Sequence, residues 1–157
     1  MHTEIKERAD SAIKILVIDG QGGGLGKSII EQLKQIKKDM SDCEIMAAGT
    51  NSAASGAMLK AGADIAATGE NAIIYNSKRA DIIAGAVGIC FANSMRGEIS
   101  PGIANAICDS EAVKILIPIP GPMAKCNINI MGVVEKPMAQ YIVEAVEKIK
   151  EICNLMV

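Results

Sequence analysis

The sequence predicts a three-layer α/β fold around a mostly parallel sheet of about five to six strands. Three observations carry that expectation. Short apolar runs alternate with longer stretches whose apolar residues recur at helical spacing. A glycine-rich run lies directly between the first strand-like and the first helix-like segment. Half of the 157 residues are apolar, yet there are only two Tyr, one Phe and no Trp, so the core is built from Ile, Val, Leu, Ala and Met, which suits helices lying close on a sheet.

The first strand is the apolar run 14–19, ending at Asp19. The next helix, 27–40, lines up Ile29, Ile30, Leu33, Ile36 and Met40 on one face. Residues 44–48 read as a second strand and 52–61 as a small-residue helix stopped at Gly62, which suits a left-handed cap. A short third strand (64–67), a short helix (70–77) and a fourth strand buried on both faces (81–85) follow. A long Gly-rich polar stretch then runs to Ser100, where Ser100-Pro101 starts a helix reaching Cys108 with an N-cap and a proline at the first helical position. Residues 113–117 are the fifth strand. Pro118, Pro120 and Pro122 force a loop, and 127–133 read as a sixth strand. No helix pattern separates strands five and six, which suits an antiparallel edge. Pro137 opens the last helix, striped by Met138, Tyr141, Ile142, Ala145, Val146, Ile149 and Ile152. That stripe fits either its own sheet or a homodimer contact. Residues 1–13 are a charged N-terminal extension, and 14–157 form one domain.

Composition excludes several function classes. The net charge of −2, with acids and bases interleaved and few stacking aromatics, argues against a nucleic-acid surface. No segment approaches the roughly 20 apolar residues of a membrane span, and the N-terminus lacks the apolar stretch of a signal peptide. Cys43, Cys90, Cys108, Cys126 and Cys153 form no C-x-x-C pair and read as reduced thiols of a cytoplasmic protein. The sole histidine is His2, which removes His-dependent triads and His-rich metal sites, so no metal centre is expected.

The glycine run carries the strongest chemistry. Gly20, Gln21, Gly22, Gly23, Gly24, Leu25 and Gly26 precede Lys27 and Ser28, and five of those first seven residues are glycine. Glycines let the backbone turn sharply and approach a bound group, and N–H donors at a helix start favour phosphate. Gly20-x-x-x-Gly24-x-Gly26 matches the dinucleotide fingerprint of short-chain dehydrogenases. Gly26-Lys27-Ser28 offers the end of a triphosphatase loop, but Gln21 stands where its first glycine belongs. A turn that merely joins strand to helix is the third reading.

In open α/β sheets ligands sit beyond the carboxyl ends of the strands. Those ends carry Thr50 and Asn51 after the second strand, and Thr68, Gly69, Glu70 and Asn71 after the third. Asn93 and Ser94 follow the fourth, with Arg96 and Glu98 beyond them, and Lys125, Cys126 and Asn127 follow the fifth. All are candidates for one cofactor-binding rim. Arg96 is placed to clamp an anionic substrate group and Glu98 to move a proton, against a plain Arg96–Glu98 surface pair. Cys126 beside Lys125 is a candidate nucleophile, against a buried structural thiol, and the other four cysteines read as core. Asp19 is a cap for loop N–H groups or a ligand neighbour. Two departures set this chain apart from dehydrogenases: there is no acid at the end of the second strand, and no Tyr-x-x-x-Lys.

The stretches 17–26, 49–51, 67–72, 92–98 and 114–118, with Cys126-Asn127, together resemble an uncharacterised bacterial domain-of-unknown-function family with a Rossmann-like sheet. The resemblance implies a self-contained domain and no assigned activity; the likeness to short-chain dehydrogenases covers the first βαβ unit alone. The combined reading is a protein that binds a phosphate-bearing small molecule, with NAD(P) favoured over ATP and Mg²⁺. It is either a small oxidoreductase or transferase, or a non-catalytic nucleotide sensor or partner-binding subunit.

Overall fold

Alternation along β1 (Ile13–Asp19) builds two cores. Successive side chains of a strand point to opposite faces, so Ile13, Ile15 and Val17 enter one cluster while Leu16 and Ile18 enter the other. The computed structural model describes residues 12–118 and 129–157. Among these, β1, β2 (Cys43–Gly49), β3 (Ile65–Thr68), β4 (Ile82–Ala86) and β5 (Val113–Ile117) form one sheet in the order β3-β2-β1-β4-β5. All four pairings are parallel. The helices are α1 (Gly24–Ile36), α2 (Ser52–Lys60), α3 (Glu70–Ser77), α4 (Pro101–Asp109) and α5 (Met138–Leu155).

The first core takes Ile29, Ile30 and Leu33 from α1, Ala54 and Met58 from α2, and Ile142, Val146 and Ile149 from α5. The second takes Ile73 from α3, Ile103 and Ile107 from α4, and Ile89 and Ile99 from the segment between β4 and α4. The result is a three-layer, Rossmann-like fold, with α1, α2 and α5 on one face and α3 and α4 on the other. Register pairs Asp19 with Gly49, and Gly49 with Thr68, so the carboxyl ends of β1, β2 and β3 stand level.

Several expectations need correction. Helix α1 begins at Gly24 rather than at residue 27, because Asp19 supplies an acceptor to Gly26 N–H and lets the first turn form inside the glycine run. It ends at Ile36, and Lys37–Asp39 tighten into a 3₁₀ turn. β3 starts at Ile65 because the Asp64 carboxylate turns back to accept from Ile45 N–H at 2.8 Å and Lys37 Nζ at 2.6 Å. The expected sixth strand begins outside the described residues, and 129–133 form no strand. Gly132 there turns at φ 81°, and Met131 is 89% exposed. The described sheet therefore has no antiparallel edge. Cys43 and Cys153 are core residues, but Cys108 is exposed and Cys90 only half-buried. Helix α4 turns Ile103, Ala104, Ala106 and Ile107 inward, which leaves Cys108 on the solvent side. No helix among the described residues is long and apolar enough to cross a membrane.

Candidate functional site

Asp19 organises the start of the site. Its Oδ1 accepts from Gly20 N–H at 2.7 Å and its Oδ2 from Gly26 N–H at 2.8 Å, so the carboxylate at the end of β1 caps α1. The residue is only 7% exposed. Burial pushes its carboxyl above the usual carboxylate range, against the pull of the Gly26 and Gly20 amides, and the charge of Glu98 adds to the rise. Gly23 makes the turn: its φ is 73°, its N–H donates to Gly20 O at 2.9 Å, and a Cβ there would stand 2.8 Å from Ala54 Cα. Gly22 and Gly24 differ in kind. Both are exposed, a Cβ on either would meet nothing within 4 Å, and no group among the described residues accepts from their amides.

Glu98 crosses the rim to this loop. Its Oε1 accepts from Thr50 Oγ1 and from Asn51 Nδ2, each at 2.7 Å. Gln21 N–H is shared between Oε1 at 3.1 Å and Oε2 at 3.2 Å. Partial burial works against its charge, but the bonds from Thr50, Asn51 and Gln21 outweigh that and hold the carboxyl below the usual range. Asn51 completes the link, donating to Gln21 O at 3.0 Å while its Oδ1 caps α2 through Ala54 N–H at 2.9 Å. Gly20 lies beneath: a Cβ there would come 2.8 Å from Thr50 Oγ1 and 3.0 Å from Met95 Sδ.

Glu98 is delivered by a turn of unusual backbone. Among the described residues, the non-glycine positions with positive φ are Gln21, Asn93, Met95 and Arg96, with φ of 48°, 68°, 54° and 57°. All four lie in the glycine loop or in the segment carrying Glu98. Asn93 N–H donates to Ile99 O at 2.6 Å, and the buried Ser94 donates its hydroxyl to Gly88 O. These bonds close the segment on itself. A left-handed conformation costs an ordinary residue about 1–2 kcal/mol, and such residues gather at functional sites.

Several of the remaining candidates are engaged elsewhere. Lys27 is exposed on α1 with Nζ 3.8 Å from Glu31, and the Ser28 hydroxyl donates back to Gly24 O at 3.1 Å. Thr68 exchanges a 2.6 Å hydroxyl bond with Ser55. Gly69, with φ of 101°, precedes α3, and Glu70 accepts from the Ser100 hydroxyl, joining α3 to the start of α4. Asn71 is exposed. Arg96 is exposed and forms no ion pair with Glu98. Lys125, Cys126 and Asn127 lie outside the described residues. Among the described residues no three His, Cys, Asp or Glu side chains gather as a metal site.

The structure thus brings together Gly20, Gln21, Thr50, Asn51 and Glu98 at one rim. Two further residues belong to it. Asp19, which the sequence offers as a cap for loop N–H groups, accepts from two of them, and Met95, which the sequence does not mark, covers Gly20.

No curated protein sequence matches this chain. Solved structures similar to it include a universal stress protein in complex with cAMP, at 16% identity over 69% of this chain and 98% of that one with a TM-score of 0.40, and AibC, at 15% identity over 96% of this chain and 42% of that one with a TM-score of 0.44. Neither likeness bears on a ligand. Residues 14–154 match the model of a domain of unknown function, and the chain belongs to that family, DUF3842.

Proposed function

We propose that this protein binds a phosphate-bearing small molecule, a mono- or dinucleotide of the NAD(P) kind, at the carboxyl ends of β1 and β2. The observation that carries the reading is the convergence, at one rim, of the open glycine amides and a fixed carboxylate. Gly22 and Gly24 offer N–H donors that no group among the described residues takes, and Glu98 stands beside them on Thr50, Asn51 and Gln21. Phosphate oxygens suit the amides at a helix start. ATP with Mg²⁺ is disfavoured, because Lys27 pairs with Glu31 on the outer side of α1 and Ser28 bonds back to its own helix. Glu98, stabilised in its charged form by three donors, is a weak base and serves as a holding group rather than a proton carrier.

The test is thermal unfolding with NAD, NADP, FAD, ATP with Mg²⁺, and simple phosphates. A ligand at 100 times its Kd adds about 2.7 kcal/mol of stability, so the midpoint rises with nucleotide concentration. Gly22→Val, which fills open space, removes that rise while leaving the unliganded midpoint unchanged. No shift with any ligand contradicts the reading.

A further inference from the structure

We propose that Glu98 reads the ribose of the bound nucleotide, selecting one whose 2′-hydroxyl is free and rejecting one that carries a 2′-phosphate. The inference rests on the nucleotide reading above and narrows it to a substrate class.

In α/β proteins that bind dinucleotides, an acid at the end of the second strand takes the ribose 2′-hydroxyl, and an arginine nearby accommodates a 2′-phosphate. Here β2 ends at Gly49 and is followed by Thr50 and Asn51, so its own chain supplies no acid. Glu98 supplies one through space, from the segment after β4. Its carboxylate sits on both residues that follow β2, at 2.7 Å from each, and on the N–H of the glycine-loop residue Gln21. The acid that is absent from the sequence position is present at the spatial position.

The hydrogen-bond inventory favours hydroxyl donors as the remaining partners. An ionised carboxylate is acceptor-only, with about two lone-pair sites on each oxygen. Oε1 takes Thr50, Asn51 and a share of Gln21, whereas Oε2 takes only the other share of Gln21 at 3.2 Å. Oε2 therefore has acceptor capacity left, and the half-buried side chain leaves it reachable. A vicinal diol presents the donors that such an oxygen lacks. A phosphate dianion in the same place meets a like charge, and Arg96, two residues away, forms no ion pair with Glu98 that would soften it. Like charges brought together in this way discriminate by repulsion as well as by lost bonds.

Calorimetric titration of the full chain tests this with two ligand pairs, NAD against NADP and 5′-AMP against its 2′-deoxy form. The expected result is NAD about tenfold or more tighter than NADP, and 2′-deoxy-AMP about tenfold weaker than AMP, the scale of one hydrogen bond to a charged group. Glu98→Gln narrows the NAD to NADP ratio to less than about threefold. Equal or tighter binding of NADP by the unaltered chain overturns the inference without recourse to any variant, and loss of the NADP preference in Arg96→Ala then names Arg96 as the reader. Tighter binding of every ligand by Glu98→Gln also overturns it, because the carboxylate is then a block at the site. Failure of all four ligands to bind removes the nucleotide reading itself, and the inference falls with it.

Discussion

Glu98 and Asp19 lie at the same rim with opposite electrostatics. Glu98 is held by donors and favours its charge, so its contribution to stability is present above the ordinary glutamate value of 4.5 and is lost as pH falls through its lower folded value. Asp19 is dominated by burial. Its folded value is raised, so its contribution is fully present below 3.8 and is lost as pH rises through the folded value. Asp64, lowered with Lys37 and Ile45 as partners against its burial, follows the Glu98 sign. Glu98→Gln should therefore flatten the acid limb of stability below 4.5, with the slope of Asp64 remaining. Urea unfolding across that range measures it, and an acid limb unchanged by the substitution would show that the Thr50, Asn51 and Gln21 bonds contribute nothing. At this scale the sequence was partly legible. Glu98, Thr50 and Asn51 could be named as rim residues, but their mutual contact joins positions 47 and 48 residues apart, which no local pattern encodes.

The β1–loop–α1 element shows which glycines are structural and which are open to a ligand. Gly23 needs its positive φ and touches the Ala54 backbone, while Gly22 needs neither. Gly23→Ala combines left-handed strain with overpacking and should cost about 2–4 kcal/mol, read as a fall in the urea midpoint. A loss within about 0.5 kcal/mol, the range of ordinary surface changes, would mean that the turn relaxes freely. Five glycines in a row of seven announce a special turn, but a string of letters does not divide them by role. The helix boundary departs from the periodicity for a related reason. Glycine is a poor helix former, so periodicity places the start at residue 27, whereas the Asp19 cap moves it to Gly24. The third strand starts one residue late through a similar bond, in which the Asp64 carboxylate accepts from Ile45 N–H.

The whole molecule was more readable than its details. Alternating strand and helix patterns give a parallel sheet, and the observed order β3-β2-β1-β4-β5 puts β1 at the centre with the glycine loop at its carboxyl end. Fold order explains why Glu98 can reach β2: β4 lies beside β1, and the segment leaving β4 has only β1 to cross. That crossing covers Gly20 with Met95 and closes the rim around the loop. Whether this rim holds a nucleotide is read by amide-resolved NMR titration with NAD. Shifts should concentrate in residues 20–26, 49–51 and 93–98, with Gly22 and Gly24 among the most perturbed. Shifts confined to the groove between α1 and α2 that Lys27, Ser52, Gly56 and Lys60 line, or none at saturating ligand, would contradict a nucleotide site at this rim.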